Sequence, residues 1–185
     1  MSDQASQGLL SPYLQRARLN AAKPYLRGAI LDIGSGNGSL ARLVPPDRYL
    51  GVDADAESIA VAKANFPHHN FRSELPKTGA FDTVAALAVI EHVPTPASSL
   101  REWSSFLAPG GLLVLTTPHC AFRTLHDMGG RVGLFSRDAA EEHQYMFNYN
   151  TFYALASETG LTVTHSKKFL FGVNQLFVLS RQNIR

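Results

Sequence analysis

The stretch Ile30-Leu31-Asp32-Ile33-Gly34-Ser35-Gly36-Asn37-Gly38-Ser39-Leu40 runs from an apolar strand pattern straight into three glycines at alternate positions. Glycine is the default where backbone must take unusual dihedrals or approach a ligand closely. A strand-turn-helix join also aims free backbone N–H groups at whatever binds there. The stretch therefore outlines a nucleotide-cofactor site in an α/β domain. Asp32 lies inside the strand just before the turn, and Asp53 ends the next apolar run, Tyr49-Leu50-Gly51-Val52. The distance of Asp53 from the glycines suits an acid that accepts hydrogen bonds from a ribose diol.

The spacing is G-x-G-x-G, not the G-x-G-x-x-G of the dinucleotide fingerprint, and an acid stands two residues ahead of the first glycine. A pyrophosphate seeks a helix N-terminus, and an added Asp beside that loop repels it. That disfavours a nicotinamide-dependent reductase. A cofactor with a cationic amino group tolerates such an acid and can use it. S-adenosylmethionine fits, because it carries an ammonium and a sulfonium and still needs a diol acceptor for its ribose. The residues expected to bind it are Asp32, Gly34, Ser35, Gly36, Asn37, Gly38, Asp53 and Ala54. The bland alternative is a tight turn in some other α/β domain.

Composition does not compete with this reading. A chain of 185 residues with 45% hydrophobic content suits one globular domain with a real core. A formal net charge of +2 is too small to point to nucleic acid. Residues 51–110 hold four Lys/Arg against seven Asp/Glu, so the cofactor half is mildly acidic and the flanks mildly basic. The single cysteine, Cys120, excludes an internal disulfide. The start Met1-Ser2-Asp3-Gln4-Ala5-Ser6 lacks a basic-then-apolar leader, and the longest apolar run, Val84 to Ile90, is too short for a bilayer. The expectation is a cytoplasmic protein with no integral membrane segment.

Apolar runs alternate with helical patterns, the signature of a parallel sheet. After eight residues expected to be disordered, Leu9–Leu26 reads as a helix broken near Pro24, with Tyr13, Leu14, Ala17, Ala21 and Tyr25 near one face. Strands are expected at 29–33, 49–52, around 70–72, and at 81–88, the last apolar enough to be covered on both faces. A short helix should run from Ser39 and end by Pro45-Pro46, and a second should span about Ala56 to Asn65. Pro96 can open a third helix through Leu100 and Trp103. Pro109-Gly110-Gly111 reads as a sharp turn into a strand at 112–116. Asn150 is the expected cap of a helix ending near Gly160, and 162–169 with 175–180 form an expected antiparallel pair.

Leu31 to Gly38 followed by Gly51-Val52-Asp53-Ala54-Asp55 resembles the first two motifs of class I methyltransferases. Phe81-Asp82-Thr83-Val84, Val89-Ile90-Glu91-His92-Val93 and Leu107 to Pro118 resemble later blocks of the small-molecule type. The Glu-His pair is similar to the subgroup containing the ubiquinone-pathway O-methyltransferases and their sugar- and lipid-modifying relatives. The resemblance spans roughly residues 28–118, with weaker agreement over His143–Gly160. It implies a Rossmann-like class I fold: a mostly parallel seven-stranded sheet with an antiparallel last strand and helices on both faces, in one domain over residues 1–185. Relatives often place an acid just after strand three against the adenine amino group. Here only Glu74 is available, one or two positions late, with Leu75 beside it, and Ala88 ends strand four.

Methyl transfer from a sulfonium is an in-line displacement in which positioning and desolvation carry most of the rate. A hydroxyl acceptor gains from a base, and a near-neutral His is the natural one. His92 lies just past the carboxyl end of strand four, where open α/β sheets bind ligands. An anchoring hydrogen bond is its equal alternative, with Glu91 orienting the loop. The segment 118–149 reads as an acceptor-side lid or insertion, and His143 and Tyr145 join His92 as catalytic candidates. His119, His126, Asp127, Glu141, Glu142 and His143 crowd this segment without any metal-ligand spacing, so no metal is expected. The activity expected is methyl transfer to a small or lipid-linked acceptor, at oxygen. The alternative is a catalytically silent S-adenosylmethionine-binding regulatory module.

Overall fold

The computed structural model describes residues 11–119 and 147–182. Seven strands form one sheet in the order β3-β2-β1-β4-β5-β7-β6. They are β1 (Ile30–Ile33), β2 (Tyr49–Val52), β3 (Asn70–Arg72), β4 (Phe81–Leu87), β5 (Leu107–Pro118), β6 (Leu161–Phe169) and β7 (Asn174–Arg181). The first five run parallel, while β7 is antiparallel to both β5 and β6. Strand order reverses between β1 and β4, and the carboxyl ends of strands at such a switch point are where open sheets bind ligands. Every side chain of β1 is buried, which explains its unbroken run of large residues.

Among the described residues four α-helices cover the sheet: α1 (Ser11–Ala22), α2 (Ala56–Asn65), α3 (Pro96–Ser105) and α4 (Tyr149–Glu158). Leu19 of α1 and Ile59 and Ala62 of α2 pack with Ile30, Tyr49, Phe71 and Ala85 on one face. On the other face, Leu100 and Trp103 of α3 and Phe152 and Ala156 of α4 meet Leu31, Val84, Leu113 and Phe177. Phe152 stacks on Phe177 at 3.9 Å between ring centroids, joining α4 to β7. Each such buried ring contributes about 2–3 kcal/mol through removal of apolar surface from water.

Local chemistry sets the boundaries, and in places it shifts them from the expected positions. Asp55 caps α2 by accepting from the Glu57 and Ser58 N–H groups. Asn148, two residues before the expected Asn150, caps α4 in a capping box with Thr151. The helix expected from Ser39 is only a 3₁₀ turn, Ala41–Leu43, because Gly38 and Pro45 leave too few residues for stable α-helical bonds. Pro109-Gly110-Gly111 lies within β5, whose ladder with β4 jumps from Phe81↔Leu107 to Thr83↔Leu112. The extra residues form a bulge, with Gly110 at φ 73°. On α1 the buried residues are Leu19, Ala21 and Ala22 while Tyr13 is 59% exposed, so the buried stripe is rotated from the expected one. Ala22 is small enough to sit flush on Val114, Leu176 and Val178.

Candidate active site

The three glycines turn the chain over the carboxyl end of β1 with φ values of 68°, 50° and 80°. Two bonds to one acceptor lock the start of the turn: the N–H groups of Gly34 and Ser35 donate to the Val52 carbonyl at 2.8 and 3.0 Å. A Cβ on Gly34 would lie 2.4 Å from Val89 Cγ2, and one on Gly38 would meet the Phe71 ring at 2.9 Å. Gly36 differs, since a Cβ there would meet nothing within 4 Å. Two glycines thus serve close packing, and the middle one faces open space where a ligand can approach the backbone. Ser35 is buried, and its hydroxyl has no hydrogen-bond partner among the described residues. Asn37 is exposed at the top of the loop.

Asp53, half-buried at the end of β2, ties this loop to the next helix. Its Oδ2 accepts from Gly36 N–H at 2.7 Å, and its Oδ1 accepts from Asp55 N–H at 3.0 Å. Each carboxylate oxygen retains lone pairs, so both can still accept from a diol. Ala54 is exposed beside it.

Asp32 is 3% exposed and accepts from the Tyr49 hydroxyl at 2.6 Å. Burial pushes its carboxyl up to about 7; the Tyr49 bond opposes this shift and nearby Asp53 adds to it. Burial and the adjoining Asp32 raise the Tyr49 hydroxyl in turn, so the tyrosine stays a donor. Tyr49 escaped the sequence reading because its partner lies on a neighbouring strand; its place as the first residue of an apolar run gave no sign of it.

Ala88 follows β4 in the left-handed region at φ 60°, with its N–H on the Thr116 carbonyl at 2.8 Å. Such a conformation is uncommon for a residue with a Cβ. It turns the chain sharply into Ile90 and Glu91, which are fully buried, and out again to the exposed His92. Glu91 attracts the guanidinium of Arg18, whose Nε donates to Asn174 Oδ1 at 3.3 Å. Arg18 is thus a second residue that the sequence did not single out: it joins α1 to the β4 end and to the root of β7. Glu74 and Leu75 line an open groove of about 660 Å³ with Lys63, Arg72 and Lys77.

His143 and Tyr145 lie outside the described residues, as do residues 1–10, Cys120 and most of the expected lid. Its two roots are described and are narrower than 118–149, because Pro118 belongs to β5 and Tyr149 to α4. His119 and Phe147 form a parallel bridge. Gln175 Nε2 donates to the Pro118 carbonyl at 3.3 Å and to the Phe147 carbonyl at 2.7 Å, so one side chain grips both roots.

A glycine loop over β1, an acid at the end of β2 and a switch point beside β4 define a Rossmann-like nucleotide-cofactor domain of the class I methyltransferase type. The chain belongs to the methyltransferase domain family, which matches residues 6–166. It is 33% identical over 102 residues to a ubiquinone biosynthesis O-methyltransferase of Colwellia psychrerythraea, covering 48% of this chain and 41% of that one. The chain spans less than half the length of the curated relatives it matches. The magnesium protoporphyrin IX methyltransferase of Synechocystis PCC 6803, solved with bound S-adenosylhomocysteine, superposes with a TM-score of 0.70 at 16% identity, over 97% of this chain and 90% of that one. An S-adenosylmethionine-dependent methyltransferase of Clostridium acetobutylicum gives 0.68 at 12% identity, over 93% and 92%.

Proposed function

We propose that this chain is an S-adenosylmethionine-dependent methyltransferase acting on a small or lipid-linked acceptor at oxygen. The observation that carries the cofactor assignment is the joint geometry of Gly36 and Asp53. An unobstructed backbone turn sits beside a carboxylate already held by two N–H groups and able to accept more. S-adenosylmethionine supplies an electrophilic methyl group on its sulfonium. Gly34, Ser35, Gly36, Asn37 and Gly38 form the cradle, Asp53 and Ala54 hold the ribose side, and Glu74 and Leu75 lie toward the base. Asp32 beneath the loop is the counter-charge for the amino acid end, and Ala88 shapes the opposite wall. The curated relatives, ubiquinone biosynthesis O-methyltransferases by name, support an oxygen acceptor and weigh against a silent module.

His92, exposed just beyond the β4 end, takes the proton from the acceptor hydroxyl in this reading, with His143 and Tyr145 as its companions from the β5–α4 connection. Glu91 and Arg18, buried behind it, fix the turn that carries it. The chain's contribution is positioning and exclusion of water at the rim.

Two measurements test this. Calorimetry should show S-adenosylmethionine and S-adenosylhomocysteine binding, no NAD or NADP binding, and at least about a tenfold loss of affinity in Asp53→Ala, the equivalent of one charge-assisted hydrogen bond. Unchanged affinity in that variant removes the ribose role of Asp53. Transfer of labelled methyl into extract components, read by mass spectrometry of the product, tests catalysis, and binding without any labelled product would establish the silent module instead.

A further inference from the structure

The β6–β7 hairpin closes through a turn whose backbone works against its own side chains. Leu170, Phe171 and Gly172 all have positive φ, at 52°, 56° and 88°. Successive bonds, Gly172 N–H to the Phe169 carbonyl and Val173 N–H to the Leu170 carbonyl, both 3.1 Å, make this a left-handed turn. For a bulky residue that conformation is strained, and Asn or Gly would relieve it. The turn leaves Phe171 at 105% exposure, with its ring unpacked among the described residues. Surface stability does not explain a strained turn that presents an unpacked phenylalanine; contact with something outside the chain does.

The setting narrows what that contact is. Lys167 and Lys168 precede the tip, each resting on a ring, Lys167 Nζ 5.9 Å above Tyr25 and Lys168 Nζ 5.3 Å above Tyr149. Arg18, largely buried and attracted by Glu91, steadies the hairpin just behind the tip through Asn174. Neither α1 nor the hairpin from Leu161 to Arg181 contains an Asp or Glu, so the charged side chains these two elements contribute are basic. Two apolar side chains are far too few for a stable protein interface, which buries roughly 800 Å² on each partner. They suit a wedge at the headgroup boundary of a bilayer, where an aromatic ring enters the apolar zone while lysines meet anionic headgroups. The tip also stands on the cofactor side of the sheet: Asn174 pairs with Pro118 at the carboxyl end of β5, and His119 N–H donates to the Val173 carbonyl at 2.9 Å.

We propose that the Leu170-Phe171 tip docks the protein on an anionic lipid surface, with Lys167 and Lys168 at the headgroups, and so turns the rim that holds the candidate active site toward the bilayer. Docking does not depend on methyl transfer and can be read without turnover. The test is sedimentation with vesicles of phosphatidylcholine alone or mixed with phosphatidylglycerol, using wild type, Phe171→Asn and the double variant Lys167→Gln/Lys168→Gln. Wild type should pellet with the anionic vesicles and be released by salt. Phe171→Asn suits the left-handed backbone, so it should unfold no earlier than wild type and yet lose at least about tenfold in vesicle affinity, as removal of one inserted ring requires. The double lysine variant should lose the preference for anionic vesicles. Wild type remaining in the supernatant with both vesicle types overturns the proposal, as does Phe171→Asn pelleting like wild type. So does wild-type dimerisation in sedimentation velocity that Phe171→Asn abolishes in the absence of vesicle binding, since the tip is then a contact between copies of the chain.

Discussion

Asp32 and Gly36 show how one residue can answer to two demands. Asp32 is buried with its carboxyl raised from 3.8 to about 7. Between those values the folded chain holds a proton that the unfolded chain releases, so stability is greatest on the acid side and falls as pH rises through about 7. Asp32→Asn keeps an acceptor for the Tyr49 hydroxyl but cannot ionise. Urea midpoints measured at pH 5.5 and pH 8 should therefore fall less in Asp32→Asn than in wild type, and equal falls would show that Asp32 ionises normally. The glycines make a parallel contrast. Gly34→Ala should cost on the order of 2–4 kcal/mol of stability, because positive φ combines with a clash against Val89. Gly36→Ala meets only the backbone cost of about 1–2 kcal/mol, yet places a methyl where the cofactor should approach. Its signature is a modest loss in urea melts with at least about a tenfold weaker S-adenosylhomocysteine affinity, a factor that corresponds to about 1.4 kcal/mol.

Among the elements, legibility followed the range of the forces involved. The strands at 49–52 and 70–72 and the helix from Ala56 to Asn65 fall where local patterning places them, since burial on a parallel sheet and a strong N-cap act within a few residues. Glycine spacing and the positions of Asp32 and Asp53 were equally visible. What stayed hidden depends on distant chain: the bulge at Gly110 is set by the β4 ladder, the tyrosine on Asp32 by strand adjacency, and the buried face of α1 by a β7 more than 150 residues later. Gln175 belongs to the same class. Replacing it with Leu removes the donor shared by the Pro118 and Phe147 carbonyls and should cost about 1–3 kcal/mol. Limited proteolysis should then cut between residues 119 and 147 faster than in wild type, whereas Gln175→Glu, without an N–H, should behave like the Leu variant. A rate equal to wild type in both would remove Gln175 as the grip on the two roots.

At the level of the whole molecule, the order β3-β2-β1-β4-β5-β7-β6 gathers the glycine loop, Asp53, Ala88 and His92 along one rim although they are scattered over some sixty residues of sequence. Ligand bound there should stabilise the sheet as a unit. At a cofactor concentration near one hundred times the dissociation constant, linkage gives about 2.7 kcal/mol, or a rise in Tm of roughly 5–10 °C. NAD at the same concentration should leave Tm unchanged, and a rise with NAD would return the loop to dinucleotide chemistry. The position of β7 has a consequence for biosynthesis. It wedges between β5 and β6 with six of its eight residues buried, yet it is made after both. While β7 is still within the ribosome, β5 has no neighbour on that side and β6 has none at all. The emerging chain therefore carries an open apolar strand edge while the residues after Pro118 are made, an edge exposed to mispairing until the residues up to Arg181 are free to slot in.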